Sequence, residues 1–144
     1  MDTTDSVHLA RTLDAPREEV WRMWTGPAEF SSWYGPDGAT IEVTHWDLRP
    51  GGARRISMAV DTPNGPMTMH FHGEFVEVTK PERLVYTEGM ADQAHPMTRV
   101  EVDFREDGDR TTVELTHHGI PAGSPGEAGW AAALDHLATR VLMT

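Results

Sequence analysis

Apolar side chains recur along this chain with two periods, and the switches between them outline the elements. Val7 and Leu9 alternate with His8, Arg11 and Thr12, which predicts a first strand over Val7 to Leu13. Pro16 then suits a first helical turn, with Glu18 and Glu19 near its positive end. Val20, Met23 and Trp24 fall on one helical face, and Gly26-Pro27 breaks the run. A second short helix, from Pro27 to about Trp33, should bury Phe30 and Trp33 before Gly35-Pro36 ends it.

From Thr40 the period is two. Ile41 and Val43 share one face, and so do Ile56, Met58 and Val60 in the run Ala53 to Asp61. Pro63-Asn64-Gly65 turns the chain into Met67 to Thr79, where Gly73 is expected to mark a bulge. Lys80-Pro81-Glu82 turns it again into Arg83 to Glu88, with Leu84 and Tyr86 on one face. Gly89 to Pro96 is polar and punctuated, and reads as a loop. Thr98 to Glu106 alternates Val100, Val102 and Phe104 with Glu101, Asp103 and Arg105. After Asp107-Gly108, the strand Arg110 to His118 puts Val113, Leu115 and His117 on one face. Ser124-Pro125-Gly126-Glu127 has the form of a capping box. The helix after it carries Trp130, Leu134, Leu137 and Val141 as one stripe.

Strands in one run with helices set apart predict an α+β domain. A curved antiparallel sheet of about six to seven strands should wrap a long C-terminal helix, with two short helices after the first strand. The 144 residues suit one domain over 1–144, and no repeat or second unit is visible.

Composition narrows the function. The formal charge is −11, Lys80 is the one lysine, and the arginines are scattered. A phosphate-binding surface needs clustered cations, so neither nucleic acid nor a membrane is an expected partner. With no cysteine, disulfides, thiolate metal sites and cysteine nucleophiles are excluded. No run reaches the ~20 apolar residues of a membrane span. The first residues lack a secretory layout, and a cytoplasmic location fits.

Five stretches occur in a characteristic order: DAPREEVWRMWTGPAEFSSWYGP, DLRPGG, GEFVEVTKPERLVYT, VEVDF followed by TTVELTHHGIP, and GWAAALDHLA. Together, from about Val7 to Leu142, they resemble the activator-of-heat-shock-protein-90-ATPase homologue family of the START-like (SRPBCC) superfamily. The resemblance implies a helix-grip fold with a hydrophobic pocket between the sheet and the C-terminal helix. Superfamily relatives bind lipids, hormones and polyketides, and some cyclise or hydrolyse them, so activity does not follow from the fold.

Several residues are candidates for chemistry. In HWDLRPGG, Pro50-Gly51-Gly52 supplies the geometry of a hairpin turn, and Asp47 and Arg49 flank it. The competing reading aims Arg49 or His45 into a cavity mouth as a polar anchor. His70 and His72 share a face, but no third ligand completes a metal motif, and they are expected to point outward. Glu88 and His117, in phase with apolar neighbours, could form an acid–base pair in an apolar pocket, with Tyr86 and Arg49 as further catalytic candidates. The predicted ligand-contacting set is Trp33, Trp46, Met58, Phe71, Tyr86, Phe104, His117 and Trp130, with Met67, Met69 and Met90 as adaptable wall. No nucleotide, phosphate or serine-nucleophile motif is present, and no metal or cofactor is expected.

Three functions fit: a carrier of a small lipophilic molecule, a cyclase- or hydrolase-type enzyme, and a co-chaperone-like interaction module. The missing motifs favour binding. A homodimer is compatible with base rates for small domains.

Overall fold

In the computed structural model, which describes residues 6–90 and 97–142, the two periods become seven strands and three helices. The order is β1 (Ser6–Leu13), α1 (Arg17–Thr25), α2 (Pro27–Ser31), β2 (Thr40–Trp46), β3 (Ala53–Thr62), β4 (Gly65–Thr79), β5 (Arg83–Met90), β6 (Thr98–Asp107), β7 (Arg110–His118) and α3 (Pro125–Leu142). The strands form one antiparallel sheet in the order β1-β7-β6-β5-β4-β3-β2. From β2 to β7 each strand pairs with its sequence neighbour, while β1 crosses to pair with β7. The sheet curves around the helices in the helix-grip arrangement. Among the described residues no helix is long and apolar enough to cross a membrane.

The concave side holds the core. Val20, Trp21, Met23 and Trp24 of α1 are buried, and so is Phe30 of α2. The stripe on α3 buries Trp130, Ala133, Leu134, Leu137 and Val141. The rings pack edge to face and stacked: Trp24 lies 5.9 Å from Trp130 at 19°, and 4.7 Å from Trp33 at 60°. Two indoles tie the C-terminal end of α1, where helical carbonyls lack internal partners. Trp33 Nε1 donates to the Met23 carbonyl and Trp46 Nε1 to the Thr25 carbonyl, each at 2.8 Å.

Four expectations change. Pro16 is the N-cap of α1 rather than its first helical residue. Gly73 marks no bulge; the register shift falls between Phe75 and Glu77. Gly73 is instead a point of close approach, since a Cβ there would stand 1.9 Å from the Thr87 carbonyl oxygen. The Ser124 hydroxyl has no partner, and Glu127 reaches back to the Gly123 N–H in place of a reciprocal box. Gly89 and Met90 extend β5, while the rest of the expected loop, 91–96, lies outside the described residues.

Candidate functional site

Alternation along β3 turns Arg54, Ile56 and Met58 inward, so the sequence commits an arginine to the apolar face. Arg54 is 1% exposed. Its cross-strand neighbour on β4 is Gly73, which has no side chain, and the guanidinium reaches Glu88 on β5. Arg54 Nη1 donates to Glu88 Oε2 at 3.4 Å, and the Tyr34 hydroxyl donates to the same oxygen at 3.4 Å. Rings enclose the cation, with its central carbon 3.9 Å from the Tyr86 ring centre, 5.5 Å from Trp46 and 5.6 Å from Phe30. Arg54 Nε and Nη2 and the Tyr86 hydroxyl are buried without a hydrogen-bond partner.

A second chain of bonds continues the row across the sheet. Trp130 Nε1 donates to His117 Nδ1 at 2.9 Å. That leaves the ring proton on Nε2, which donates to Thr98 Oγ1 at 2.7 Å. Thr98 in turn donates to the Glu88 carbonyl at 2.7 Å. Burial lowers the pKa of His117, against the attraction of Glu88, so the ring stays neutral. Burial raises both tyrosines, Tyr34 well above its usual value, so both hydroxyls remain proton donors.

This polar row, Trp46–Arg54–Glu88–Thr98–His117, divides the concave face. On one side Phe75, Tyr86, Val100 and Phe104 belong to the closed core. On the other, Ile41 and Val43 of β2, Met69 and Phe71 of β4 and Met90 of β5 face inward but are only half-buried. The reason is the placement of α3, which packs on β1 and α1 and leaves the β2–β4 end to α2 and the segment after it. Gly35 in that segment abuts Ile41 and Met58. His136 of α3 contacts the Trp33 carbonyl and the Asp37 carboxylate, fixing the segment's two ends.

The expected site residues are therefore split. Tyr86, Glu88, His117, Trp130 and Trp46 meet around the polar row, and Phe71 and Met58 lie on the open side. Trp33 and Phe104 sit in the closed core, the latter 5.4 Å from Trp21 and 6.0 Å from Trp24. Between α3 and the sheet, where the pocket is expected, Trp130 packs against Trp24 at 5.9 Å, Tyr34 at 5.4 Å and His117 at 6.2 Å. Arg49 stands apart: its side chain is 72% exposed at the β2–β3 turn and grips Asp47 through Nε at 2.9 and 3.0 Å. His45 is exposed, because a register shift after Val43 turns Trp46 inward instead. His70, His72, Arg55 and Thr44, together with Ile56 and Phe71, line a groove of about 430 Å³. Among the described residues no three His, Asp or Glu side chains are grouped to hold a metal. The Glu88–His117 acid–base pair does not form. Both ring nitrogens of His117 are engaged, and its link to Glu88 runs through Thr98 to the backbone. Sequence reasoning missed Arg54, Tyr34 and Thr98. The phase of Arg54 with Ile56 and Met58 was the available signal.

Comparison with known proteins matches this architecture. Protein CV1439 from Chromobacterium violaceum superposes with a TM-score of 0.82 at 25% identity, over 94% of this chain and 96% of that one. The AHSA1 protein from Silicibacter pomeroyi gives 0.79 at 19% identity, over 96% and 98%. CalU16 from Micromonospora echinospora gives 0.65 at 27% identity, over 93% and 74%. No functionally curated protein matches the sequence. The sequence pattern of the family described as "Activator of Hsp90 ATPase homolog 1-like protein" matches residues 14–141, and the chain belongs to that family.

Proposed function

We propose that the protein binds a small lipophilic molecule on the half-open end of its concave face. The observation that carries this is the contrast across the polar row. Inward apolar side chains are sealed on one side, while Ile41, Val43, Met69, Phe71 and Met90 keep part of their surface open. An apolar concavity with a few polar groups at its base is the usual composition of a small-molecule site. Methionines such as Met58, Met69 and Met90 adapt to varied ligand shapes. The engaged nitrogens of His117 favour binding over turnover, since neither is free to take a proton from a substrate.

Titration with a neutral lipophilic fluorophore, N-phenyl-1-naphthylamine, tests the reading. Saturable one-to-one binding is expected, weakened about tenfold or more by Phe71→Glu, a loss of at least 1.4 kcal/mol. Native mass spectrometry of freshly purified protein, before and after mild organic extraction, should show an extractable adduct. A wild-type protein that neither binds the probe nor carries an adduct refutes the proposal.

A further inference from the structure

Arg54 has more donor capacity than its surroundings use. Among the described residues its one side-chain hydrogen-bond partner is Glu88, held at 3.4 Å, whereas a charge-assisted N–H···O bond closes to about 2.7–2.9 Å. The contact uses Nη1. The unpartnered nitrogens are Nε and Nη2, and in a guanidinium these two point their N–H bonds in parallel along one edge. That edge is the fork that matches two oxygens in one plane. The hydroxyl of Tyr86, whose ring lies under the guanidinium, is also unpartnered among the described residues. A buried donor without an acceptor is costly, and here three such atoms belong to two stacked side chains, Arg54 and Tyr86, in and beside the row that borders the open apolar surface. The faces of the guanidinium are covered by rings, so only an edge is left to a ligand.

We infer that the ligand is a lipophilic carboxylic acid whose carboxylate is taken side-on by Arg54 Nε and Nη2, with the Tyr86 hydroxyl as a further donor. The inference rests on the reading that a lipophilic molecule occupies the concave face, and it adds the head group. Arg54 and Glu88 together are neutral. A carboxylate adds one negative charge to that pair and a phosphate monoester up to two, so of these two anions the singly charged planar one disturbs the balance less. Trp46, which covers the guanidinium, and Tyr34, which bonds Glu88, are only half-buried.

The test compares ligands that share one ten-carbon chain: decanoate, decanamide, decanol and decyl phosphate. Each displaces N-phenyl-1-naphthylamine from the wild type, from Arg54→Lys and from the paired replacement Arg54→Met/Glu88→Leu. Arg54→Lys keeps the charge and loses the fork. The expected result is decanoate binding about tenfold or more tighter than the amide and the alcohol in wild type. That preference should collapse in both variants while the neutral probe still binds, which also reports that they fold. Equal affinities for acid and amide, or tighter binding of the phosphate, overturn the carboxylate assignment and leave the lipophilic site standing. Absence of probe binding to the wild type removes both.

Discussion

Replacing the two members of the Arg54–Glu88 pair, singly and together, separates what the pair does for folding from why it is present. The side chains are 1% and 7% exposed, so neither charge has bulk water to fall back on. Glu88→Leu leaves the guanidinium with aromatic faces alone, and removing one partner of a buried ion pair costs about 3–5 kcal/mol. Arg54→Met gives up the same pairing and the ring contacts. Its penalty is softened because Glu88 keeps the hydrogen bond from the Tyr34 hydroxyl. The double variant removes both desolvated charges and fills the space with apolar atoms. Replacements of that kind are neutral or stabilising by about 1–4 kcal/mol. The double should therefore unfold near the wild-type urea midpoint with an unchanged slope, and the cycle should show a coupling of about 3 kcal/mol or more. Far-ultraviolet circular dichroism at pH 7 provides the readout. Single variants that each lose under about 1 kcal/mol and simply add would mean that the pair is solvated, and the account of a sealed cation would be wrong.

Gly73→Ala should cost about 1–3 kcal/mol or more, because its Cβ would meet the Thr87 carbonyl, a backbone atom that cannot swing aside; a melting temperature within a degree of wild type would refute the close approach. His117 makes stability depend on pH. Its pKa is lowered in the folded state, so the unfolded chain binds more protons on the acid side, and the contribution is complete above about pH 6.5 and fades as pH falls through the folded value. The gap in urea midpoint between wild type and His117→Gln should narrow from pH 8 to pH 5, and a constant or widening gap would contradict a buried neutral imidazole.

Side-chain phase gave the faces of the strands. Ile56 and Met58, Leu84 and Tyr86, and Val113 and Leu115 all point inward as their alternation requires. The 130–134–137–141 stripe likewise marks the buried side of α3. Phase does not tell how far along the sheet a residue sits. Phe104 and Tyr86 both face inward, yet one packs on α1 and the other on Arg54. That height depends on where α3 crosses the sheet, which is set by long-range packing. Irregularities are equally hidden. Counting by two from Ile41 and Val43 puts His45 inward, and the register shift after Val43 delivers Trp46 instead. Arg54 was in plain phase with the apolar face, but a charged residue is so seldom buried that the pattern alone does not compel the assignment.

The crossing of β1 to β7 sets the order in which this chain can be completed during synthesis. Thr12 and Thr112, whose hydroxyls bond across the pair, are 100 positions apart, and His8 and Thr116 are 108 apart. Each hairpin from β2 to β7 can close as soon as its second half emerges. Among the described residues the first strand's neighbour in the sheet is β7, made about 5–20 s later at typical elongation rates of about 5–20 residues per second. Until β6 and α3 emerge, Trp21 lacks Phe104 and Trp24 lacks Phe104 and Trp130, and of their ring partners only Phe30 and Trp33 stand beside Trp24. The segment from β1 to α2 thus keeps the face of Trp21 open until the later strands are made, and the domain cannot seal its core before β7 and α3 arrive.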